Sequence, residues 1–103
     1  MNRKGKGTRR EHQSRDLLEA LGYDVTRAGG SLGVFDLVAI GWSNIRLVQV
    51  KCNRMASPGE REEIEAARCP PNGTKEIWVW KDRATLPEVS VWNGKGWYER
   101  MER

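Results

Sequence analysis

The residues best suited to chemistry stand on two β-branched, apolar-rich runs, 35–40 and 45–52, joined by Gly41-Trp42-Ser43-Asn44, a segment of hairpin length and composition. A four-residue loop pairs Ile40 with Ile45, and counting outward in step places Asp36 opposite Gln49. The two-residue period of a strand keeps Lys51 on the same face as Gln49. Asp36, Gln49 and Lys51 therefore converge among Val38, Ile40, Ile45 and Leu47. Burying a carboxylate and an ammonium on such a face is costly unless each finds a partner. A metal ion and a phosphate are partners that would satisfy both.

A fourth candidate is set by a helix. Residues 8–21 read as a helix ending at Gly22, a suitable C-terminal cap, with Leu17, Leu18 and Leu21 on one stripe. Glu11 lies three residues before Ser14 and seven before Leu18, so it extends that stripe toward the sheet. Taken singly, each of these groups has a plainer role. Thr8 and Glu11 have the spacing of a capping box, Asp36 could cap a strand end, and Lys51 could snorkel to the surface. Their convergence favours the chemical reading.

The elements that position these groups continue along the chain. Residues 23–27 form a short strand candidate, followed by the glycine-rich loop 28–33. Ser57, Pro58 and Glu60 supply an N-cap, a proline at the first helical position and the third residue of a capping box, which predicts a second helix over 57–68. Strands follow at 76–81, with Trp78 and Trp80 on one face as packing residues rather than a base-stacking platform, and at 89–92 and 97–101 around a second hairpin turn. The fold class expected from this order is α/β (α+β), a mixed β-sheet flanked by helices, in a single domain over 1–103.

Composition limits the alternatives. With 103 residues there is room for one core. Eighteen lysines and arginines against 14 acids give +4, and the excess gathers at the start, where Arg3, Lys4, Lys6, Arg9, Arg10 and Arg15 accompany Glu11. Residues 1–7 read as a flexible basic arm for a polyanion, or as a solvated terminus. Cys52 and Cys69 lack the number and spacing of a disulfide framework or a zinc site. No apolar run is long enough for a membrane span, so no membrane partner is expected and the location predicted is cytoplasmic, the host-cell cytoplasm for a viral chain.

The series Arg3-Lys4-Gly5, Glu11, Leu17-Leu18-Glu19, Gly22-Tyr23, Arg27-Ala28-Gly29-Gly30-Ser31, Asp36-Leu37-Val38-Ala39 and Gln49-Val50-Lys51 resembles the pattern of the archaeal-type Holliday junction resolvases, in the PD-(D/E)XK nuclease superfamily. The resemblance covers the first half of the chain and implies a restriction-endonuclease-like core and a dimeric, magnesium-dependent endonuclease that nicks four-way DNA junctions in recombination and repair. Its catalytic set falls on Glu11, Asp36, Gln49 and Lys51. Phe35 replaces a proline common in the superfamily, a minor change, whereas Gln49 replaces an acid and removes a charge.

The resemblance further implies that Asp36, Gln49, the Val50 carbonyl and Glu11 hold magnesium, with manganese as a substitute ion. Hard oxygen ligands suit either ion. Lys51 would position the attacking water or stabilise developing charge, and Arg3, Lys4, Lys6, Arg9, Arg10, Arg27 and Ser31 would bind DNA. Two alternatives stay open: a related nuclease of the VRR-NUC type acting on flaps or other DNA, and a DNA-binding module whose catalytic site has decayed.

Overall fold

The computed structural model describes residues 3–28 and 33–100, with side chains from residue 7 onward within those spans. Among the described residues eight elements follow one another: α1 (Arg3–Ala20), β1 (Asp24–Arg27), β2 (Leu37–Ile40), β3 (Ile45–Cys52), α2 (Pro58–Ala66), β4 (Gly73–Trp80), β5 (Glu88–Trp92) and β6 (Trp97–Arg100). The six strands make one mixed sheet in sequence order. All neighbours are antiparallel except β3 and β4, whose parallel pairing requires a crossover, and α2 supplies it.

The central hairpin has the register that its loop predicts, with Ile40 paired to Ile45 and Leu37 to Val48. Side chains alternate across the sheet and build two cores. On one face Leu18 of α1 packs with Leu37, Ala39, Val48, Trp78, Val89 and Val91. On the other, Ile64 of α2 packs with Phe35, Leu47, Ile77 and Val79. Helices thus cover both faces, as the mixed-sheet expectation required.

Local signals explain the helix ends. At the end of α1 the Gly22 N–H bonds the Glu19 carbonyl and the Tyr23 N–H bonds the Leu18 carbonyl, with Gly22 in the left-handed region (φ 97°) that glycine adopts without strain. At the start of α2 the Ser57 hydroxyl accepts from the Glu60 N–H, while the Glu60 carboxylate accepts from the Ser57 N–H, completing the predicted capping box.

The start of α1 departs from expectation. The helix begins at Arg3, not Thr8, so residues 3–7 belong to it rather than to a flexible arm. No proline interrupts this stretch, and lysine and arginine are good helix formers that carry it past Gly5 and Gly7. Thr8 therefore lies inside the helix, which removes the capping-box explanation of Glu11. The side chains of Arg3, Lys4 and Lys6, together with Ser31 and the glycines before it, lie outside the described residues. Among the described residues, no helix is long and apolar enough to cross a membrane.

Candidate active site

The expected residues gather where β2 and β3 part. Asp36 precedes the first residue of β2, just beyond the last ladder pair, and its main chain still bonds both neighbouring strands: its N–H donates to the Val48 carbonyl and its carbonyl accepts from the Ala28 N–H. Beyond that point the next ladder donor of β3, the Val50 N–H, turns to the Asp36 carboxylate at 2.7 Å. One side-chain oxygen of Asp36 thereby replaces a strand neighbour, and the strands fork around it. Val50 reaches the carboxylate through its N–H; its carbonyl remains a proposed ligand.

Three further charges surround that carboxylate. Burial pushes the Asp36 carboxyl above its ordinary range; the Val50 N–H opposes the shift, the negative charge of Glu11 adds to it, and the cations Lys51 and Arg27 act against it. Glu11 arrives from α1, where Ser14 and Leu18 on the same stripe are fully buried against the sheet. Its Oε1 accepts from both Nε and Nη2 of Arg27, at 3.3 and 3.0 Å. Arg27 remains half-exposed, so it can face a phosphate while still orienting Glu11.

Gln49 and Lys51 lie on the α2 face, with Leu47 of the second core as their neighbour along the strand. Lys51 Nζ meets both oxygens of Glu60, at 3.1 and 3.3 Å. The Gln49 amide nitrogen donates to the same carboxylate at 3.4 Å. Gln49 is only 6% exposed, and its side-chain oxygen is buried without a hydrogen-bond partner. Glu60 carries a hydrogen bond from the Ser57 backbone and one from Lys51, which hold its carboxyl down to about 2 and keep it ionised. Sequence reasoning assigns Glu60 a capping role alone. Nothing local signals its second contact, which joins α2 to a strand that ends before it.

Arg10 corrects the expected set of DNA-binding residues. It is 5% exposed, donates to Gln13 and to the carbonyls of Lys81 and Ala84, and lies over the Trp80 ring. Its helix face turns inward at that position, so the guanidinium anchors α1 to the loop after β4 and cannot reach a phosphate. Arg9, one residue earlier, is exposed. Trp78 and Trp80 are buried, donating to Glu76 and Ser14, which fits packing and excludes a stacking platform.

The donors suit a hard divalent cation. Two carboxylates, Glu11 of α1 and Asp36 at the start of β2, lie close enough for their charges to interact, and the unpaired Gln49 oxygen is a buried acceptor of the kind that such an ion satisfies. With an amide at position 49, no three His, Cys, Asp or Glu side chains among the described residues form a ready-made metal cluster. The fit therefore depends on the amide oxygen.

No protein-family model matches the chain, and no curated protein does. Among solved structures, a Holliday junction resolvase from the archaeal hyperthermophile Archaeoglobus fulgidus superposes with a TM-score of 0.66 at 21% identity, covering 84% of this chain and 71% of that one. The chain thus has the fold of an archaeal Holliday junction resolvase.

Proposed function

We propose that the chain is a structure-specific endodeoxyribonuclease that resolves four-way DNA junctions by metal-dependent phosphodiester hydrolysis. One observation carries this reading: at the fork between β2 and β3 the Asp36 carboxylate feels the charges of Glu11, Lys51 and Arg27, and Gln49, next in the chain to the Val50 that binds it, holds a buried, unpaired amide oxygen. A solved structure of the same fold is that of a Holliday junction resolvase, which supports a nuclease acting on branched DNA.

Asp36, Glu11, the Gln49 side-chain oxygen and the Val50 carbonyl would hold magnesium, with manganese as a substitute. Bound there, the ion supplies Lewis acidity to the scissile phosphate and favours hydroxide over water. The protein's own groups do the remaining work. The Val50 N–H fixes the Asp36 carboxylate, and Arg27 orients Glu11. Lys51 places an ammonium beside the reacting phosphate, where it positions the attacking water and offsets the charge that grows on the non-bridging oxygens. The water oxygen bonds to phosphorus, one bridging P–O bond breaks, and the leaving oxygen takes a proton. Arg27, Ser31 and exposed cations of α1 such as Arg9 would hold neighbouring phosphates.

Resolution requires two opposed nicks within one complex, which a two-fold dimer with two equivalent sites provides. The substitution at Gln49 favours a second reading, a junction-binding module without catalysis. Incubating the protein with end-labelled four-way, flap and linear DNA, with and without magnesium, separates these readings. Resolution expects paired, magnesium-dependent nicks in the four-way substrate and a dimer by sedimentation. Preferential flap cutting by a monomer would move the activity to another branch of the superfamily, and binding without cutting would leave the module.

A further inference from the structure

Helix α2 contributes to the candidate site in a way that the motif residues do not reveal, a role that rests on the nuclease reading above. Gln49 is buried, yet only one end of its amide is satisfied. A carboxylate can only accept, so Glu60 dictates which end faces α2: the nitrogen donates to it, and the oxygen is turned elsewhere. The capping box anchors that carboxylate to the first turn of α2, and the ion pair with Lys51 fixes it from the other side. The unpaired oxygen is otherwise an unexplained cost in the protein's interior.

We propose that Glu60 is the positioning residue that makes Gln49 a metal ligand, fixing the amide with its oxygen toward the cation and supplying from α2 the negative charge that an acid at position 49 would have carried. A carboxylate accepting from the amide N–H also increases the basicity of the amide oxygen, as acceptors behind metal-bound groups do elsewhere. The charge of the QxK motif is thereby divided between β3 and the helix that follows it.

The test is a double-mutant cycle read as manganese affinity by calorimetry on the full chain without DNA. Glu60→Gln keeps a capping-box side chain but no longer dictates the amide's orientation; it should weaken manganese binding about ten- to a hundredfold. In a Gln49→Glu background the same change removes a like charge, so affinity should stay the same or tighten. Equal losses in both backgrounds, or no loss with Gln49 present, would reduce Glu60 to a capping residue and overturn the proposal, while manganese binding and junction cutting by the wild type would leave the nuclease reading standing. Failure of the wild type to bind manganese or cut would remove both. Should Glu60→Gln not fold, Glu60→Asp, whose carboxylate falls short of Gln49, carries the same expectation.

Discussion

Replacing Arg46 by alanine tests what holds the site's central strand in place. Arg46 of β3 and Glu76 of β4 are 1% and 0% exposed and form a two-pronged pair at 2.9 and 2.8 Å. The guanidinium also lies over the rings of Tyr23 and Trp78, and Glu76 accepts from Thr74 and Trp78. Removing one partner leaves a buried carboxylate without its counter-ion, a loss of about 3–5 kcal/mol. A domain has only about 5–15 kcal/mol in total. At about 4–8 °C per kcal/mol for this size, melting should fall by at least about 12 °C. Urea and thermal unfolding measure this directly.

The double variant Arg46→Met with Glu76→Leu sharpens the test, because replacing a buried pair by apolar groups is often near neutral. It leaves the Trp78 N–H without its acceptor, so its loss should be about 1–3 kcal/mol, smaller than the single loss. A single loss under about 1 kcal/mol, or a double loss equal to the sum of both singles, would refute the reasoning that the pair is a mutually dependent buried unit.

Asp36→Asn should melt higher than wild type at pH 7 in the absence of metal, because the folded carboxyl is raised and its ionised form is disfavoured. The sign requires the gap to shrink as pH falls through the raised value toward 3.8; a lower melting point at pH 7 would contradict it. Glu76 shifts the other way: burial alone would raise its carboxyl, but Arg46, Thr74 and Trp78 hold it below 4.5, so its contribution is present above that pH and lost in acid. The double variant carrying Arg46→Met and Glu76→Leu should therefore show a shallower acid limb in unfolding scans. Arg10→Ala should destabilise by about 1.5–3 kcal/mol with little change in the salt dependence of DNA binding. Arg9→Ala should instead lower that slope by about one without loss of stability; the reverse pattern would return Arg10 to the DNA surface.

Much of this was legible where local chemistry acts alone. The four-residue turn sets the β2–β3 register, Ser57 and Glu60 announce α2, and the period of α1 turns Glu11 toward the sheet. Sequence failed where distant contacts override local signals. Thr8 and Glu11 imitate a helix start, yet the helix continues back to Arg3. Arg10 reads as a surface cation because its partners, Trp80 and the carbonyls of Lys81 and Ala84, lie about 70 positions away. Strand pairing by number alone puts Asp36 within the strand, but the Val50 N–H reaches its side chain and the ladder ends at Leu37. Glu60 was hidden because a complete local explanation, the capping box, already accounted for it.

The central claim is that the fork around Asp36 is where DNA is cut. The most direct measurement compares wild type with Asp36→Ala on one end-labelled four-way junction, following binding without metal and cutting with magnesium. Phosphate contacts lie mostly outside the fork, so both proteins should bind alike while only the wild type nicks two opposed strands. Undiminished cutting by Asp36→Ala, or no cutting by the wild type at any magnesium or manganese concentration, would contradict the account.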